Sequence, residues 1–96
     1  MQNKGLMKRS LFPLGEMVVT RGAMAELTQA EVLSAFVRHS QGDWGDLCDE
    51  DKHENKFGLQ HGFRLVSRYH SANGTAFYVI TEHDRSMTTV LLTTEY

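Results

Sequence analysis

The stretch that decides the fold is GFRLVSRYHSANGTAFYVITE, residues 62–82. At its centre stands Asn73-Gly74, the strongest short hairpin signal, because both central residues of a type I′ turn need positive φ. On either side lie runs rich in Val, Ile, Thr, Tyr and Phe, which suit a pleated surface. They predict a strand over residues 63–71 and its partner over 75–82. A second turn at 83–86 and a third strand over 87–93 extend the pattern to a meander, whose neighbours are antiparallel.

Upstream, the period changes from two to 3.6. Thr28-Gln29-Ala30-Glu31 matches a capping box, in which Thr28 caps the N3 amide and Glu31 reaches back. Leu27 and Val32 sit at hydrophobic-staple spacing. Val32, Leu33, Phe36 and Val37 form an apolar stripe, and Gly42 supplies a stop. A helix is expected over 29–40. A second is expected over 49–61, stopped by Gly62. Phe57 and Leu59 are its only large apolar residues. It therefore lies shallowly on the surface, or Asp51 and Asn55 turn inward, find hydrogen-bond partners and organise the preceding loop. Residues 16–20 read as a short strand, and 22–27 as one helical turn. The fold class is α+β: two helices packed on a three- to four-stranded antiparallel β-meander.

The chain has 96 residues, which is one domain, expected over 11–96 behind a loose basic tail at 1–10 in which Met1 and Met7 are both plausible starts. One cysteine excludes an internal disulfide framework and suits a reducing cytoplasm. The longest apolar run is too short for a membrane span, and the first residues lack the apolar core of a secretory signal. The net charge is −2, unlike that of a basic nucleic-acid-binding domain. Residues 43–54 hold six acids (Asp43, Asp46, Asp49, Glu50, Asp51, Glu54) against the single base Lys52, while the rest holds six acids against nine bases. Acids at the start of the second helix favour the positive end of its dipole. The same block is a candidate surface for a protein partner.

The densest cluster is residues 39–46, where the only Trp, Trp44, lies between two Gly-containing turns and two Asp residues. Trp44 either plugs one end of the core, with Asp43 and Asp46 capping turns, or anchors a partner, since Trp is enriched at binding hot spots. Asp43, Trp44, Asp46, Asp51 and Asn55 are the candidate binding residues. A second constellation lies on the strands. Arg64, Val66, Arg68 and His70 share one face, and Tyr78, Ile80 and Glu82 share another, but both faces of each strand are mixed. Metal-free RNA cleavage needs a base, an acid and cations for the phosphorane charge. Glu82 with His70 or His39 supplies the first two roles, and Arg64 with Arg85 the third. The alternative is a solvated sheet face with cross-strand Glu–Arg pairs. Arg64, Arg68 and Arg85 are also the candidate nucleic-acid contacts. His39, Cys48, His53 and His61 are metal-ligand types at spacings that match no zinc signature, so no metal and no cofactor are expected. There is no P-loop, GxSxG, GxGxxG or HExxH motif.

Four stretches carry a resemblance: 11–15 through Gly22-Ala23, 39–55, 62–69, and 80–86 through Thr88-Thr89 to Glu95-Tyr96. On them the chain resembles short bacterial "plasmid-related" proteins of plasmids and integrative elements, sometimes labelled type I restriction–modification subunits. Arg21 and Thr93 depart from that pattern at turn positions where proline is usual. The resemblance implies an accessory protein of a mobile element. Its size and missing cofactor motifs exclude a methyltransferase subunit. The order of helices before a meander is also similar in shape to the barnase and RelE-like ribonucleases, a likeness of fold alone. The leading expectation is a non-enzymatic interaction module using 43–54 and the Trp44 loop. The alternative is a small metal-independent ribonuclease.

Overall fold

The computed structural model describes residues 9–96. Most of the basic tail, with both candidate start residues, lies outside the described residues. Chain order is β1 (Glu16–Val19), α1 (Arg21–Glu26), α2 (Gln29–Ser40), α3 (Asp49–His61), β2 (Leu65–His70), β3 (Ala76–Thr81), β4 (Met87–Leu92) and a terminal 3₁₀ turn (Thr93–Glu95). The fold is α+β. The four strands form one sheet in the order β1-β4-β3-β2. β2, β3 and β4 make the expected antiparallel meander. β1 pairs with β4 in parallel, so the sheet is mixed rather than purely antiparallel. The parallel pair needs a long crossover, and everything between the two strands supplies it.

The capping box of α2 forms as read. The Thr28 hydroxyl accepts from the Glu31 amide at 3.0 Å, and the Glu31 carboxylate accepts from the Thr28 amide at 2.9 Å. The buried face of α2 is rotated from the apolar stripe. Ala35, Phe36, His39 and Ser40 face the core, while Leu33 and Val37 are 65% and 53% exposed. A polar residue takes a core position because, as shown below, every polar atom of its ring is satisfied.

The hairpin also forms, with a different turn. The Gly74 amide donates to the Ser71 carbonyl (2.9 Å), and the Ser71 amide to the Thr75 carbonyl (2.9 Å). Gly74 alone has positive φ, at 89°. This is a three-residue loop with a left-handed glycine, not a type I′ pair.

The sheet face left ambiguous by alternation is now defined. Leu65, Ser67 and Tyr69 of β2, Phe77, Val79 and Thr81 of β3, and Thr88 and Val90 of β4 are buried. Of these, Tyr69, Phe77, Val79 and Val90 build the main core with Ala23 of α1, Leu27 just after it, and Ala35 and Phe36 of α2. Phe12, Trp44 and Leu65 form a second cluster at one end.

α3 approaches β2 closely because of Gly58, where an added Cβ would lie 3.1 Å from the Leu65 side chain. Asn55 and Gly58 are its buried residues. The two branches read from the sequence divide between the two residues: Asn55 turns inward at 3% exposure, and Asp51 is exposed. The Asn55 amide donates to the Val66 carbonyl at 2.7 Å and accepts from the Val66 amide at 3.1 Å. It thus occupies the outer edge of β2 as a further strand would. The Trp44–Asp46 segment does the same next door. The Arg68 amide donates to the Trp44 carbonyl (3.1 Å), and the Asp46 amide donates to the Arg68 carbonyl (2.9 Å). No helix among the described residues is long and apolar enough to cross a membrane.

Candidate functional site

The loop between α2 and α3 is built around one glycine. Gly45 has φ 77°, and a Cβ there would stand 1.9 Å from the Arg68 carbonyl oxygen. Only glycine allows the bridge to Arg68. Asp43 closes the loop from behind. Its carboxylate receives the Arg38 Nε at 2.7 Å and the Gly45 amide at 3.2 Å. Its carbonyl accepts from the Tyr69 hydroxyl. Arg38 also lies 4.3 Å over the Tyr69 ring. Burial pushes the Tyr69 phenol up to about 12, so it stays a donor. Asp43 is therefore bound up in the architecture of the loop. Trp44 is 9% exposed, stacked on Phe12 and edge-on to His39. Its ring is packed into the core end beside Phe12 and Leu65.

His39 is fully buried on the helix-facing side of the sheet. Nδ1 lies 2.6 Å from the Ser67 hydroxyl and Nε2 lies 2.9 Å from the Thr81 hydroxyl. The Thr81 hydroxyl lies 2.7 Å from that of Thr88, which donates to the Leu14 carbonyl at 2.7 Å. A carbonyl only accepts, so the far end sets the direction of the whole chain. Thr88 spends its proton on Leu14, hence Thr81 donates to Thr88. Thr81 must then accept from Nε2–H, and Ser67 donates to Nδ1. The neutral Nε2–H tautomer follows. Burial, with the nearby Arg85 guanidinium adding to it, lowers the pKa of His39 to about 3. The ring is a structural crosspiece joining α2, β2, β3 and β4, with both of its nitrogens bonded inside the core.

The rest of the strand constellation does not converge. His70 is exposed, with Nδ1 2.9 Å from Asp46. Glu82 follows β3, where its amide donates to the Met87 carbonyl. Arg85 has φ 61° and donates to the carbonyls of Gly58 (3.0 Å), Phe63 (2.7 Å), Glu82 (3.2 Å) and His83 (3.2 Å). Its charge is spent holding the 83–86 turn to the end of α3. Arg64 donates to the Tyr96 hydroxyl.

What converges instead is a groove of about 850 Å³ on the other face of the sheet. Its floor is Val66, Ile80, Tyr78 and Arg68, brought together because Val66 pairs with Ile80 and Arg68 with Tyr78. One bank is α3 as far as Phe57 with the residues leading into it: Asp46, Leu47, Cys48, Asp51, Glu54 and Phe57. The other bank is Phe63, Arg64 and Tyr96. Of the five residues expected to bind, Asp46, Asp51 and Asn55 line it. Of the three arginines expected to contact nucleic acid, Arg64 and Arg68 line it. Glu54 joins them from the acidic block, and Tyr78, Tyr96, Phe57 and Phe63 are lining residues that the sequence does not single out as site residues. The signal for Tyr78 was present in the alternation that groups it with Ile80. Tyr96 is placed by the terminal turn, where the Glu95 carboxylate accepts from the Leu92 amide and the Thr20 hydroxyl, each at 2.7 Å.

The groove is suited to binding. Its arginines are engaged, Arg68 with Asp46 at 3.4 Å and Arg64 with Tyr96. Among the described residues no three His, Cys, Asp or Glu side chains come together to hold a metal. Comparison with known protein families, curated proteins and solved structures finds no match for this chain.

Proposed function

We infer that this protein is a non-enzymatic interaction module, acting as an accessory protein of a bacterial mobile element in the cytoplasm and binding a protein partner through the groove between α3 and the open sheet face. The observation that carries the reading is the groove itself: an apolar and aromatic floor against a carboxylate-bearing bank, about 850 Å³ in a 96-residue chain. The groove takes the place of the Trp44 ring as the contact surface, while the acidic segment keeps its role through Asp46, Asp51 and Glu54. The resemblance to plasmid-related proteins supports the cellular setting.

The test is crosslinking in the host with three tagged forms: wild type, the double variant Asp51→Lys with Glu54→Lys, and Glu26→Lys on α1 outside the groove. The expected result is one partner kept by wild type and Glu26→Lys and lost from the double variant. The same set of captured proteins in all three would refute the reading.

A further inference from the structure

Resting on that reading, we propose that the occupant of the groove is an extended segment of the partner carrying arginine flanked by apolar side chains. Three independent features select it. The first is uncompensated negative charge. Asp51 and Glu54 are three residues apart on α3 and so stand side by side. Among the described residues neither has a cation within ion-pair distance, although Asp46 beside them has Arg68 and His70.

The second is exposed aromatic surface. Phe57, Phe63 and Tyr96 line the groove and are exposed, and the Tyr96 ring meets Tyr78 edge-on at 5.5 Å. Three large rings left in water around one groove are a surface for a partner, since single exposed apolar residues are common but clustered ones are not. Aromatic faces attract cations, most of all when water is excluded.

The third is a guanidinium already seated there. Arg64 lies 5.6 Å over the Tyr96 ring and donates to its hydroxyl. The groove thus holds one arginine on an aromatic ring at one bank and leaves two carboxylates open at the other. A second guanidinium reaching across from a partner meets both kinds of group. Arginine is favoured over lysine because it is planar, stacks on rings, is less strongly hydrated and pairs with carboxylate through two bonds. The floor of Val66 and Ile80 takes the apolar neighbours. A nucleic-acid strand is disfavoured, because its affinity comes from neutralised phosphates, and here both arginines are engaged while Asp51 and Glu54 face the phosphates.

The test uses the full chain and three acetylated, amidated pentapeptides of one pattern, Leu-X-Val-X-Leu, with X as arginine, lysine or glutamate, and single-stranded oligo(U) as a fourth probe. Backbone amide shifts are followed by NMR at low and physiological salt. The arginine peptide is expected to shift Asp51, Glu54, Val66 and Tyr78, to bind roughly tenfold tighter than the lysine peptide, and to weaken with salt. Asp51→Asn with Glu54→Gln should weaken it about tenfold while the dispersed amide spectrum of the folded chain is kept, the lost first-turn charge of Asp51 lowering the melting temperature by only a few degrees. Tyr78→Leu, which keeps an apolar floor, should narrow the arginine-over-lysine preference. Equal binding of the glutamate peptide, tighter binding of oligo(U), or no shift with any peptide at millimolar concentration overturns the proposal. If the host partner is still lost from the charge-reversal variant while all three peptides fail, the interaction module stands and only its arginine-bearing occupant is wrong.

Discussion

Replacing Thr81 by Val tests the directed chain that crosses the sheet. The two side chains have nearly the same shape, so no cavity opens and the change is confined to one hydroxyl. That hydroxyl accepts from His39 Nε2–H and donates to Thr88. Without it, the Thr88 hydroxyl keeps its bond to the Leu14 carbonyl, but Nε2–H faces a methyl group inside a fully buried site. A buried donor left without an acceptor costs about 1–3 kcal/mol. The ring has one escape. It can move its proton to Nδ1, which then donates to Ser67, leaving a bare Nε2 lone pair instead of a bare N–H. The expected outcome has two parts. Urea unfolding should show a loss of about 1–2 kcal/mol, and the melting temperature should fall by roughly 5–15 °C. Long-range ¹⁵N–¹H correlation of the imidazole should show the Nε2–H tautomer in the wild type and Nδ1–H in Thr81→Val. A variant as stable as wild type with its proton still on Nε2 would refute the assigned direction.

Other outcomes follow from neighbouring features. Because His39 is neutral in the fold and its folded value near 3 lies below its ordinary 6.5, the unfolded chain takes up the extra proton between those values. Its contribution is complete above pH 6.5 and is lost as pH falls, by about 2 kcal/mol at pH 5. Glu31, Asp84 and Glu95, whose hydrogen bonds hold them below the usual carboxylate range, add their loss only at lower pH, so urea titrations at pH 7 and 5 keep theirs out of the comparison, and the difference that His39→Gln removes is the share of this one histidine. Gly45→Ala, with its Cβ driven into the Arg68 carbonyl, should cost well over the roughly 1–2 kcal/mol of left-handed strain that Gly62→Ala pays in open space; equal melting temperatures for the two would contradict the bridge. Asn55→Ala removes both bonds to Val66, a loss of about 1–3 kcal/mol, and should speed hydrogen exchange at the Val66 amide above that of Val79 in the next strand.

Local signals read well wherever one segment carried the whole cause. The Thr28–Glu31 box, the Gly62 stop and the strands around Asn73-Gly74 each depend on residues adjacent in the chain. Strand order escaped, because residues 16–19 carry nothing that names β4 as their neighbour. The buried face of α2 escaped for a different reason. His39 reads as polar in isolation, and only Ser67 and Thr81, 28 and 42 residues away, make it a core residue. Arg85 shows the same limit at the site. As a letter it is a cation in the 83–86 turn beside the sheet face, while in the fold a left-handed backbone accompanies a guanidinium bonded to four carbonyls. Asn55 requires partners if it turns inward, and that requirement is the clue: a side-chain amide that offers both an N–H and a C=O is matched to one residue of a strand edge.

That amide has a consequence for how molecules of this protein meet. Every open sheet has two rims, and a fibril grows because each added chain presents a fresh rim to the next. Here the β2 rim is closed from within the molecule, by Asn55 at Val66 and by the Gly45 segment at Arg68. Whatever the outer rim of β1 encounters, a second copy joined there would present its own closed β2 rim on the far side. Edge-to-edge association of the folded protein through these rims therefore terminates at a pair, and a continuous ribbon requires both covers, Asn55 of α3 and the Trp44–Asp46 segment, to come away first.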